Sequence, residues 1–175
     1  MEQSALLLAS SLNAGTVLAI AALGLLINEK AGVVNLGAEG MMLCAALAGF
    51  ATVVATGSQT LGLLAGMLAG LLLAALFGLL VIWLNTNQYA TGLALTLFGT
   101  GFSAFVGTSF VQAKIPERAA FAVPYLSDIP WLGAALFRHH PLVYLTVLFA
   151  LALIWFMYRT RSGLIMRSVG ESPES

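Results

Sequence analysis

The chain is 175 residues long, 60% hydrophobic, 10% aromatic and 8% charged, with a mean hydropathy of +0.98. Ordinary soluble domains are about 45 to 50% apolar and about 25% charged, so this composition belongs to a membrane protein and argues against a soluble enzyme. Seven Lys and Arg balance seven Asp and Glu. That balance leaves no basic surface on the scale that phosphate contacts demand, which excludes nucleic acid as a partner.

A helix crossing a hydrocarbon core of about 30 Å needs roughly 20 apolar residues. Residues 5–27 form the first such run. Glu2 and the lack of any Lys or Arg ahead of it deny it the positive n-region of a secretory signal, so it is expected to remain as a span. Residues 31–55 come next, a glycine-punctuated stretch from Ala31 to Gly40 followed by a short apolar run, 41–55. The run is too short to cross alone and is read with its prelude as a broken or re-entrant element. Irregular backbone at membrane depth is tolerated only where protein buries it or it lines a cavity. Cys44, alone in the chain, forms neither a disulfide framework nor a metal spacing and reads as a small core residue.

Residues 61–84 and 89–111 follow as two uncharged spans. The stretch 112–140 then carries Lys114, Glu117, Arg118, Asp128 and Arg138 with Pro116, Pro124 and Pro130. It reads as an extramembrane loop, with Trp131 expected at the interface. Residues 141–158 form the last span. The fold class expected is all-α, a polytopic transmembrane helical bundle of about five membrane elements with one broken or re-entrant. It divides into a membrane region, 1–158, and a terminal segment, 159–175. Arg159, Arg161 and Arg167 follow the last span and place that segment in the cytoplasm by the cationic bias of inner loops. Working backwards, 112–140 and 56–60 lie outside, 85–88 and 28–30 inside, and the N-terminus outside.

Gly62, Gly66, Gly70, Ala74 and Gly78 put a small residue at every fourth position of the third element. Such a stripe lets a second helix approach closely; lining a pore is the alternative. Glu39 is the one acid near membrane depth, and two roles are open to it: stabilising the first turn of the following helix or facing a transport path. Asn35 either meets a passing solute or satisfies backbone groups in the break. Thr91, Thr96, Thr100, Ser103 and Thr108 either make a polar face or bond their own helix; Thr96 and Thr100 join Asn35 and Glu39 as candidate path residues. The spans hold no Asp, Glu or His relay of the kind proton-coupled carriers use, and His139 and His140 sit at the edge of the last span. No GxxxxGK[ST] loop is present either. The driving force is therefore expected to come from another subunit, and no cofactor or metal is expected.

Ala31-Gly-Val-Val-Asn-Leu-Gly-Ala-Glu-Gly-Met-Met42 resembles the membrane permeases of bacterial ATP-binding cassette importers, in the branch serving simple sugars, nucleosides and branched-chain amino acids. Gly92-Leu-Ala-Leu-Thr-Leu-Phe-Gly-Thr-Gly101 is similar to the next membrane motif of the nucleoside and simple-sugar permeases. Leu126-Ser-Asp-Ile-Pro-Trp-Leu-Gly133 resembles their external loop. Arg159-Thr-Arg-Ser-Gly-Leu-Ile-Met-Arg-Ser-Val-Gly-Glu-Ser-Pro173 resembles the cytoplasmic segment that engages the ATPase. Four blocks in order are more specific than any one of them.

The resemblance implies a permease subunit with no enzymatic activity of its own, in the bacterial plasma (inner) membrane. It implies as partners a cytoplasmic ATP-binding subunit, a second permease subunit and an extracytoplasmic solute-binding lipoprotein or periplasmic protein. Gly163, Leu164, Arg167, Val169, Gly170, Glu171 and Pro173 would begin the ATPase-coupling element; the alternative for these residues is a positive-inside anchor with a disordered end. Members of the family carry roughly twice this number of spans, so the chain is expected to correspond to an N-terminal half. Nucleosides or simple sugars are the expected solutes. An ion-coupled carrier or channel, and a truncated fragment that does not transport, are the rival readings.

Overall fold

The computed structural model describes residues 2–114, 121–122 and 138–171. The architecture is all-α, and among the described residues five helices are long and apolar enough to cross a membrane: Leu7–Lys30, Ala38–Thr56, Gln59–Trp83, Gln88–Phe110 and Pro141–Arg159. The protein is a multi-pass membrane protein. It divides into two compact units, residues 33–117 and residues 1–32 with 118–175.

In the first of these units, α2 (Ala38–Thr56), α3 (Gln59–Gly78) and α4 (Gln88–Gly107) pack together. The α2 helix ends on Gly57, whose φ of +70° is cheap only for glycine and whose N–H donates to Val53 O at 2.8 Å. Ser58 then caps α3, its side chain accepting from Leu61 N. A connection this short forces α2 and α3 antiparallel. Beyond Gly78, α3 continues as a π-helical turn, Leu79–Trp83. Asn87 Oδ1 accepts from Tyr89 N at 2.9 Å and Ala90 N at 3.1 Å and so starts α4. A 3-10 turn, Thr108–Phe110, completes that helix.

The apolar run 41–55 is the body of a longer helix that follows an irregular stretch. Gly40 is helical and α2 starts at Ala38, so its 19 residues rise about 28 Å, close to the membrane core thickness. The glycine serves a close helix crossing and does not mark a break. The irregular stretch is limited to the residues from Gly32, with φ +82°, to Gly37.

The second unit contains α1 (Glu2–Lys30), α5 (Pro141–Arg159) and α6 (Arg161–Glu171). Residues 28–30 are helical and not a connector, and the basic Lys30 closes α1, where a cation suits the helix dipole. Ser10 and Thr16 donate to Leu7 O and Leu12 O, at 2.9 and 2.7 Å, so these hydroxyls cost the span no unpaired polar group. His140 Nδ1 accepts from Leu142 N at 3.3 Å and Pro141 occupies the first turn of α5. Two short strands, β1 (Phe121–Ala122) and β2 (Arg138–His139), pair antiparallel with Phe121 opposite His139. The expectations for Trp131 and for the block 126–133 fall outside the described residues.

Few of the described side chains are buried. Met41, Phe77 and Leu95 form the core of the α2–α4 unit, with Val33, Leu73 and Val81 against it. Large apolar side chains instead line the outer faces, as at Leu71, Leu97 and Phe105, which are 64, 74 and 80% exposed. Such faces suit hydrocarbon, in which helices associate through close packing and not through the hydrophobic effect.

Candidate functional site

Two places gather the residues singled out by sequence, one in each unit. In the α2–α4 unit it is the irregular stretch before α2, which lies along one face of α4. Gln88, Gly92 and Thr96, spaced four apart on that face, each meet it. Gln88 Oε1 accepts from Val34 N at 3.0 Å, and Thr96 Oγ1 donates to Leu36 O at 2.7 Å. Between them, a β-carbon built on Gly92 would lie 2.9 Å from Leu36 N and 3.0 Å from Gly37 N, so only glycine admits the chain there. Asn35 Oδ1 accepts from Gly37 N at 2.9 Å, and its Nδ2 lies 3.8 Å from Met41 Sδ. These contacts satisfy backbone groups that a non-helical stretch would leave unpaired at membrane depth.

Below the break, α2 and α4 meet backbone to backbone. A β-carbon on Gly40 would strike Leu95 O and come within 2.7 Å of Thr96 Cα; one on Gly99 would strike the backbone of Gly40. Cys44, buried in this crossing, sets its Sγ 4.0 Å from Gly99 O.

Of the four candidate path residues, Asn35 and Thr96 are therefore brought to the same break. Glu39 is exposed in the first turn of α2. Thr100 is exposed and donates to Thr96 O at 2.7 Å, within its own helix. Gln88 is not singled out by sequence, and Gly40, Gly92 and Gly99 are there only as members of the two blocks 31–42 and 92–101, with no contact assigned to them. Gln88 reads as the last residue of a polar connector, and its role depends on a partner 54 positions away. Within the glycine stripe of α3, Gly62 and Gly66 face α2: their β-carbons would lie 2.8 Å from Gly49 O and 2.9 Å from Ala45 O. Gly70 has an ordinary 3.7 Å contact to Ala45 Cβ, and nothing lies near Gly78 among the described residues. The stripe wraps away from α2 as it descends. Among the described residues no group of three His, Cys, Asp or Glu is placed to hold a metal.

In the other unit the site is α6. Thr160 is extended, with φ −108° and ψ 152°, and serves two helices at once. Its Oγ1 donates to Phe156 O at 2.6 Å, closing α5, and accepts from Gly163 N at 3.1 Å, opening α6. The helix folds back on the end of α5. Gly163 is buried there, a β-carbon on it striking Phe156 O and lying 2.7 Å from Met157 Cα. One helical face, Gly163, Met166, Arg167 and Gly170, thus turns inward, and Gly170 rests on the end of α1, against Lys30 O and Gly32 N. The Arg167 guanidinium stands 4.7 Å over the Tyr158 ring. On the opposite face Leu164, Ile165 and Val169 are 60, 61 and 53% exposed, with Glu171 exposed beside them. Pro173 lies outside the described residues.

Comparison with known proteins gives concordant matches. A model of the family described as the permease component of branched-chain amino acid transport systems matches residues 7–175. A Haloferax volcanii protein named "Putative glucose ABC transporter permease protein" is 44% identical across 99% of this chain and 54% of its own length. A guanosine ABC transporter permease protein of Bacillus subtilis is 34% identical, covering 89% of this chain and 53% of its own. A nucleoside ABC transporter permease protein of Lactococcus lactis is 30% identical, covering 97% and 57%. The chain thus spans about half the length of these relatives. No solved structure matches it significantly.

Proposed function

The chain belongs to the family of permease components of branched-chain amino acid transport systems, and on that footing we propose that it supplies membrane helices of an ATP-binding cassette importer's permease. The observation that carries this reading is α6. A short amphipathic helix, folded back on the ends of α5 and α1, presents Leu164, Ile165 and Val169 outward beyond the last span. A cytoplasmic ATP-binding subunit would cover that strip. The three arginines after the last span would hold α6 on the cytoplasmic side, with Gly163, Leu164, Arg167, Val169, Gly170, Glu171 and Pro173 in the coupling element.

Transport would proceed by alternating access. A second permease subunit would complete the passage, an extracytoplasmic binding protein would deliver solute, and ATP turnover would enter through α6. Asn35, Glu39, Thr96 and Thr100 are the polar groups offered to the path, with the break before α2 as its least regular part. The named relatives favour a nucleoside or simple sugar as solute, and the small neutral hydrogen-bonding groups of the break suit a polar, uncharged molecule. The test is uptake of labelled guanosine and glucose by cells carrying the whole transporter, with and without this gene. Loss of uptake on deletion, restored by the intact gene and not by a Leu164→Asp copy, supports the proposal; uptake indifferent to the gene rejects it.

A further inference from the structure

The inward face of α6 holds a charged residue in a setting that packing alone does not account for. Arg167 is half-buried and its Nε finds no hydrogen-bond acceptor among the described residues. Its guanidinium instead lies over the face of Tyr158, 4.7 Å from the ring centroid. Tyr158 is in the last turn of α5 and Arg167 in the second half of α6, so this contact crosses the break at Thr160.

Three devices act on the angle between the two helices. Thr160 caps both of them through one hydroxyl, and Gly163 brings the start of α6 onto the α5 backbone. Both sit beside the break, where a small rotation barely stretches them. The Arg167–Tyr158 contact acts about one turn beyond Gly163 and about two beyond Thr160, where the same rotation moves the helix more. Gly170, further along still, rests its backbone against Lys30 O and Gly32 N and so limits how closely α6 approaches α1, without holding α6 against a swing away from it.

We infer that Arg167 and Tyr158 form a cation–π clamp that sets the angle of α6, making both positioning residues for the strip Leu164, Ile165 and Val169. The inference rests on α6 being the coupling element proposed above, but the clamp itself is a property of this chain. A cation over an aromatic face is worth enough that its removal raises the population of misangled α6 about five-fold. Aromatic replacement of Tyr158 and cationic replacement of Arg167 preserve the clamp, whereas Arg167→Gln, which keeps most of the packing and loses the charge, does not.

The test is a distance measurement by paired spin labels at Glu29→Cys and Ser168→Cys, both exposed positions, in a Cys44→Ala background reconstituted into lipid nanodiscs. The clamp predicts one narrow distance distribution for Tyr158, Tyr158→Phe, Tyr158→Trp and Arg167→Lys. It predicts a second, broader population, up about five-fold, in Tyr158→Leu and Arg167→Gln. Should Tyr158→Leu fail to insert, the comparison of Arg167→Lys with Arg167→Gln decides the matter alone. The inference is overturned if Leu and Gln variants keep the narrow distribution, or if Phe and Lys broaden it as much as they do. Because no ATPase is present, the readout is independent of whether α6 docks one.

Discussion

The crossing of α2 and α4 at Gly40 yields the sharpest prediction about the fold. In Gly40→Ala the new methyl would strike Leu95 O and lie 2.7 Å from Thr96 Cα. Carbon atoms rest about 3.5 to 4.0 Å apart, so the helices must separate by about 1 Å, since both obstacles are backbone and no rotamer change removes them. A gap of that size forfeits about a quarter to a half of each dispersion contact across it. The loss falls on Met41 against Leu95 and on Cys44 against Gly99. Overpacking of this kind costs about 1 to 3 kcal/mol; the backbone-to-backbone geometry places it near 2 kcal/mol, about thirty-fold in the unfolding equilibrium. The assay is SDS titration of the purified chain in mixed micelles, followed by circular dichroism. Gly101→Ala is the control: it lies on α4 with nothing within 4 Å, and alanine in a helix is favoured over glycine by about 1 kcal/mol. A Gly40→Ala chain as stable as the parent, or a Gly101→Ala chain equally weakened, would mean that the Gly40 crossing does not set the spacing of α2 and α4.

Thr96→Val keeps the shape of the side chain and removes its 2.7 Å bond to Leu36 O; it is expected to cost about 0.5 to 1 kcal/mol in the same titration and to reduce uptake by the whole transporter. Gly163→Ala places a methyl against Phe156 O and Met157 Cα, so α6 must swing out; stability is expected to fall by about 1 to 3 kcal/mol and co-purification with the proposed ATP-binding subunit to be lost. Cys44, the chain's one cysteine and only 6% exposed, is expected to react slowly with maleimide in mild detergent and rapidly in SDS, which mass spectrometry reads directly.

Much of the architecture is legible in the sequence because hydropathy over about 20 residues has a direct physical cause: a helix in hydrocarbon must be apolar along its membrane length. The ends of the helices are less so. Gly40 reads as part of a break because glycine weakens helices, whereas its neighbours on α4 use it for contact. Residues 28–30 read as a connector because they are polar, yet the backbone turns only at Gly32. The glycine stripe on α3 is visible as a spacing, but which of its members meet α2 depends on the crossing angle. Gly62 and Gly66 touch it and Gly78 does not.

The candidate site divides the same way. Asn35 and Thr96 stand out as polar residues in apolar surroundings, and the structure brings them to one break. Gln88 does not, since nothing local shows that its amide reaches Val34. In the terminal segment the residues are marked by resemblance, while the double cap at Thr160 and the Tyr158 contact depend on α6 folding back, which no periodicity in eleven residues reveals. The spacing of Leu164, Ile165 and Val169 gives α6 an apolar side, but that this side faces outward while Gly163, Met166, Arg167 and Gly170 turn inward comes only with the fold.

The two faces of α6 can be told apart directly. Single photo-crosslinking residues placed along 161–171 in the whole transporter would report which positions touch the ATP-binding subunit. If α6 docks that subunit through its outward strip, crosslinks form from positions 164, 165 and 169, strengthened or weakened together by nucleotide, and none from 163, 166 or 170. Crosslinks absent from the outward strip, or spread evenly around the helix, would contradict that docking.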